Sequence, residues 1–174
     1  MYKYPYSDEN GSYTWATRGG KHIKIYKKLG LAESMKLSKK YKKDNVFENE
    51  ETIQRLTNKA KEIGRLNCCK EISEEVKTIA NENNIKAKVT QVTVFNKEGM
   101  LTLNGHYVTE INGALYDYTG KQFLGSNDPN DIELRIYKKV SNNYYAEDNI
   151  KIDDPEKAMD YTEKNEDKLI FYRN

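Results

Sequence analysis

Hydrophobic and polar positions along the chain follow two rhythms, one helical and one strand-like. Ile53, Leu56, Ala60 and Ile63 recur at helical spacing and predict a helix over residues 50–63, stopped by Gly64 as a left-handed residue just past a helix end. Ile72, Val76 and Ile79 form the inward stripe of another helix, from about Asn67 to Asn83. Leu31, Met35 and Ser38 mark one side of a lysine-covered helix over Leu31–Lys43, and Pro155–Asn165 reads as a short acidic helix. Elsewhere the period is two. Lys86–Phe95, Leu101–Ile111, Ala114–Thr119 and Ile132–Val140 predict strands, with a short aromatic strand at Tyr13–Thr17, an alternating arm at His22–Leu29 and a last strand at Leu169–Tyr172. Asn112-Gly113, set between two such runs, is a strong signal for a two-residue hairpin turn. Helices followed by a strand meander read as α+β with an antiparallel sheet.

The length of 174 residues suits one domain, or one domain with an elaborated end. Three regions are expected: a basic strand and helix region over residues 1–63, a core over 64–140, and an acidic extension over 141–174 that packs on the core. The net charge of +2 is too small to argue for nucleic acid, but it is unevenly spread. Arg18 to Lys43 holds ten Lys/Arg against Glu33 alone, and Tyr144 to Asn174 holds nine Asp/Glu against five Lys/Arg. Solvated faces, an anionic partner and a neutralising protein partner all fit that split. No apolar run is long enough to span a bilayer, and no charged-then-apolar segment follows Met1, so no membrane span and no signal peptide are expected. A four-ligand zinc site would consume both cysteines and both histidines at spacings that fit no zinc motif, so neither metal nor cofactor is expected.

The candidate chemistry rests on Cys69, His106 and Asp117. Cys69 opens the helix whose inward stripe continues through Ile72 and Val76. Free amides and the partial positive charge at a helix start stabilise a thiolate there. Cys68 lies about 100° round the helix and remains the alternative nucleophile. If Asn112-Gly113 form a two-residue turn, His106 and Asp117 become diagonal neighbours on one face, within reach of an imidazole–carboxylate contact. Such a carboxylate fixes the tautomer of a histidine that takes the thiol proton. Glu110 shares the face and is the rival orienter. A slip of one residue would carry Asp117 to the other side.

These residues resemble a family. Asn67-Cys68-Cys69-Lys70-Glu71-Ile72-Ser73 with Asn84-Ile85-Lys86-Ala87-Lys88-Val89, and the hairpin from Gly105-His106 through Asn112-Gly113 to Tyr116-Asp117-Tyr118-Thr119-Gly120-Lys121-Gln122-Phe123, are similar to papain-fold toxin domains of bacterial polymorphic toxins. The resemblance implies a papain-like fold, with N-terminal helices and the nucleophile at a helix start packed on a small antiparallel sheet. It implies Cys69 as nucleophile, His106 as base and Asp117 as orienter. The family's oxyanion glutamine, six residues before the cysteine, is Ile63 here, which leaves the Cys69 backbone N–H, with Asn67 or Gln122, for that role.

The implied activity is a papain-like cysteine hydrolase of proteins, either a deamidase of glutamine side chains or a peptidase. The implied setting is a toxin or effector in bacterial competition, delivered to a reducing cytoplasm, with a protein substrate and a cognate immunity protein as partners. The alternative from another class is a metal-free ribonuclease or nucleic-acid-binding toxin. It would use His22 and His106 for acid–base work and the basic stretch 18–43 for phosphates.

Overall fold

The computed structural model describes residues 3–18 and 21–174, apart from the side chains of Arg18, Lys21, His22 and residues 38–45. The chain divides into two compact units, Met1–Val46 and Phe47–Asn174. The first holds a three-stranded antiparallel sheet of β1 (Tyr6–Asp8), β2 (Gly11–Arg18) and β3 (Lys21–Tyr26), followed by helix α1 (Gly30–Asn45). Ser34 of α1 accepts the Tyr26 backbone N–H at 2.8 Å, fastening helix to sheet.

In the second unit, helices α2 (Glu50–Ile63) and α3 (Cys69–Glu82) precede six strands: β4 (Lys88–Asn96), β5 (Gly99–Ile111), β6 (Ala114–Asp117), β7 (Arg135–Ser141), β8 (Tyr144–Ala146) and β9 (Ile170–Tyr172). Helix α4 (Pro155–Lys164) lies between β8 and β9 in sequence. The ends of α2 follow from local chemistry. The Asn49 side chain accepts the Thr52 N–H at 2.8 Å, and Gly64, at φ 85°, donates to Ala60 O at 2.8 Å. Pro155 at the first turn of α4 and Asp154, which accepts the Lys157 N–H, do the same for that helix.

The papain-like expectation, helices packed on a small antiparallel sheet, is corrected here. The six strands close into an antiparallel barrel. Closure is made by β9, which pairs with β4 through Val94 opposite Phe171 and with β8 through Tyr145 opposite Phe171. A closed ring leaves no unpaired sheet edge. Residues 141–174 therefore supply two staves of the barrel, β8 and β9, as well as α4.

Alternation sorts the side chains of the barrel strands into two apolar clusters. Val92, Val94, Val108, Leu115, Tyr137, Tyr145, Leu169 and Phe171 form one buried cluster, drawn from every strand, with Phe123 and Leu124 against it. Neighbours of opposite parity, Phe95, Tyr144, Ala146 and Ile170, pack with Ile152 and Ala158 in a second cluster that includes α4. Helix α3 packs on β5 and β4 through its Ile72, Val76 and Ile79 stripe.

Candidate active site

The hairpin between β5 and β6 turns on Asn112 (φ 52°) and Gly113 (φ 77°), two left-handed residues that match the twist of the strands they join. Ile111 consequently faces Ala114 and Thr109 faces Tyr116. This register sends His106, Val108, Leu115 and Asp117 to the same face. His106 Nε2 lies 3.2 Å from Asp117 Oδ2, with both side chains almost fully buried. The contact is a close charge pair rather than an aligned hydrogen bond. Both imidazole nitrogens and Asp117 Oδ2 lack an aligned hydrogen-bond partner among the described residues.

Asp117 is held from behind. Its Oδ1 accepts the Thr119 backbone N–H at 3.1 Å and the Thr119 hydroxyl at 3.3 Å, an Asx-type turn. Gln122 Nε2 donates to that hydroxyl at 3.0 Å. Gly120 packs so tightly beneath that a Cβ there would sit 2.9 Å from Asp117 Oδ2. The imidazole is walled by Phe123, edge-on at 4.7 Å, and by Phe171 at 5.5 Å.

Helix α3 brings the sulfur. Cys69 is its first residue, so the Cys69 N–H has no acceptor within the helix. One turn on, Ser73 Oγ donates to Tyr107 O at 3.0 Å, and Thr109 Oγ1 donates back to Ser73 O at 2.9 Å. This reciprocal clasp fixes α3 along β5, and the Cys69 sulfur and the His106 imidazole influence each other electrostatically. Burial raises the Cys69 thiol pKa, but the adjacent imidazole and the Tyr107 backbone N–H outweigh it, and the thiol ends below its ordinary range. Burial lowers the His106 pKa, and the Asp117 carboxylate with the Cys69 sulfur more than reverses this, pushing it up to about 9. The two shifts, the thiol down and the imidazole up, both work toward the thiolate–imidazolium form of the pair.

Cys68 has a different environment. Its buried thiol donates to Arg65 O at 3.2 Å and to Leu66 O at 3.6 Å, and burial raises its pKa to about 11. The vicinal pair is thus one tethered thiol with a raised pKa and one thiol with a lowered pKa.

The remaining sequence candidates fall elsewhere. Glu110 is engaged by Arg173, which donates to its Oε2. Asn67 is exposed and held through its backbone, its N–H reaching Asn127 Oδ1 at 3.3 Å and its carbonyl accepting from Arg65 Nε at 3.0 Å. Gln122 buttresses Thr119, behind Asp117. The His22 side chain lies outside the described residues, and His106 is only 1% exposed among apolar rings. Sequence reading passed over Thr119, Gly120, Ser73 and Phe171 as site residues. The Asp-x-Thr spacing could have revealed Thr119; nothing local marks Phe171.

No group of three or more His, Cys, Asp or Glu among the described residues is placed to hold a metal ion. No described helix is long and apolar enough to cross a membrane. No family model, curated protein or solved structure matches the chain.

Proposed function

We propose that the chain is a thiol-dependent hydrolase of carbon–nitrogen acyl bonds in proteins, with Cys69 as nucleophile, His106 as acid and base, and Asp117 as the group that orients His106. The observation that carries this reading is the placement of a helix-start thiol, lowered in pKa, against a buried imidazole whose Nε2 lies 3.2 Å from a carboxylate. An imidazole raised to about 9 beside a sulfur is poised to protonate a departing amine.

The Cys69 thiolate attacks the carbonyl carbon of a glutamine side chain or a peptide bond, forming a carbon–sulfur bond. In this reading the Cys69 N–H, which has no acceptor within α3, donates to the developing oxyanion. As the carbon–nitrogen bond breaks, His106 gives its proton to the leaving nitrogen, which departs as ammonia or as a new amino terminus. The now neutral imidazole takes a proton from water, whose oxygen attacks the thioester. Cys69 leaves as thiolate, His106 is again protonated, and the product is a carboxylate. Asp117 holds the ring in orientation through both halves.

The resemblance of the His106–Asp117 hairpin to toxin domains favours an effector that works in a reducing cytoplasm, where Cys69 stays a thiol. The test is intact-mass profiling of candidate target proteins exposed to the chain. Deamidation gives a gain of about 1 Da per event and proteolysis gives fragments; both vanish in Cys69→Ala and persist in Cys68→Ala. Full activity in Cys69→Ala overturns the reading.

A further inference from the structure

The first unit carries a surface of another kind. Strand register sets Tyr6, Tyr13 and Tyr26 abreast and Trp15 beside Lys24, all on one face of the three-stranded sheet. The rings form a connected array: Tyr6 stacks on Tyr13 at 5.6 Å, and Tyr13 meets Trp15 edge-on at 5.8 Å. Lys24 Nζ lies 4.4 Å from the Tyr13 ring centre and 5.7 Å from that of Trp15. Asp8 fixes it there, binding Lys24 Nζ at 2.9 Å and accepting the Tyr26 hydroxyl at 2.9 Å. The array is therefore set in place before any partner arrives, which limits the ordering cost of binding.

The face is buried at one end and open at the other. Tyr26 is 3% exposed, whereas Trp15 is 49% and Tyr6 51% exposed. Two large rings held open in a pre-set array mark a contact surface rather than a core. By sequence, this unit is the basic part of the chain. Residues 1–46 contain eleven Lys/Arg against four Asp/Glu, a net of +7, while residues 47–174 carry a net of −5. Lys3, Lys27, Lys28 and Lys36 are exposed.

We propose that this face binds single-stranded nucleic acid, with unpaired bases stacked on Trp15 and Tyr6 and phosphates neutralised by the lysines of the unit. Open rings take any base whose π-face is free, which duplex pairing denies. The net of +7 matches a polyanion rather than a neutral glycan. The proposal is independent of the hydrolase reading, because Cys69, His106 and Asp117 all belong to the other unit.

Trp15 is the only tryptophan in the chain, so its emission reports on the site directly. The experiment titrates the 174-residue Cys69→Ala chain with a single-stranded thymidine oligomer of about twelve nucleotides. Saturable quenching is expected, with log affinity falling linearly as log salt rises. Anisotropy of a labelled oligomer should show Trp15→Ala and Tyr6→Ala each binding about tenfold more weakly, with Trp15→Phe close to the parent. Absence of binding overturns the proposal. So does unchanged affinity in Trp15→Ala, since charge alone would then hold the strand. Equal quenching by duplex, by heparin or by a neutral oligosaccharide overturns it as well. None of these results alters the reactivity of Cys69, so failure here stays separable from failure of the hydrolase reading.

Discussion

Asp117 divides its two carboxylate oxygens between two tasks: Oδ2 lies 3.2 Å from His106 Nε2, and Oδ1 takes both the N–H and the hydroxyl of Thr119. The second task serves the first, because a carboxylate anchored on one side can aim the other. Asp117→Asn keeps the shape and removes the charge that raises the His106 pKa. Hydrolysis is expected to fall about 10³- to 10⁴-fold. Alkylation of Cys69 should move to higher pH in the same variant, because a less basic imidazole stabilises the thiolate less, and this outweighs relief of the smaller direct repulsion between Asp117 and the sulfur. Unchanged alkylation would show that Asp117 has no hold on the pair.

Gly120 is the residue whose side chain must be absent. A Cβ at this position would meet Asp117 Oδ2 at 2.9 Å and both Arg135 Cδ and Leu169 Cδ1 at 3.3 Å. Gly120→Ala is expected to shift the carboxylate away from His106 and to lower the turnover rate by about 10²-fold, with a smaller effect on stability. Steady-state kinetics with a urea melt separates the two. Full activity in a folded Gly120→Ala variant would remove Asp117 from the mechanism.

The pH profile of hydrolysis should be a bell. The acid limb reports formation of the Cys69 thiolate and rises below the usual thiol range, because that pKa is lowered. The alkaline limb reports loss of the His106 proton needed by the leaving nitrogen and falls around pH 9, where that pKa is raised. The ratio kcat/KM measured against pH checks both limbs. An alkaline limb near the ordinary histidine range would mean that Asp117 does not support the imidazolium.

Phe171 joins barrel closure to the site. It stacks on Tyr137 at 4.0 Å, stands 5.5 Å from the His106 ring and sits on the strand that pairs with both β4 and β8. Phe171→Ala is expected to cost about 3–5 kcal/mol of stability through the lost stack and the cavity. Equilibrium unfolding in urea measures it; a loss below about 1 kcal/mol would mean that the barrel interior refills the space.

Local rules were legible in the sequence and closure was not. Gly64 ends α2, and Asn112-Gly113 forms the hairpin turn at the register that puts Asp117 on the His106 side. Each depends on backbone preferences of one or two residues. Barrel closure depends on Ile170–Tyr172 finding β4 across some 75 residues of chain, and three residues carry no mark of their partner. The same reason hid Phe171. Thr119 and Gly120 lie within the hairpin motif, but their importance lies in what they do to the oxygens of Asp117, which depends on three-dimensional packing. The choice of Cys69 over Cys68 came from helical phase; the structure adds that Cys68 is occupied by the carbonyls of Arg65 and Leu66.

The most direct test of the Cys69–His106 pairing is the pH dependence of alkylation by iodoacetamide, mapped to single cysteines by mass spectrometry. In the parent chain Cys69 is expected to react fast at pH values where ordinary thiols are slow, with Cys68 inert until far higher pH, and His106→Ala is expected to move the Cys69 curve to higher pH. Identical Cys69 curves with and without His106, or equal reaction of Cys68 near neutrality, would contradict the account.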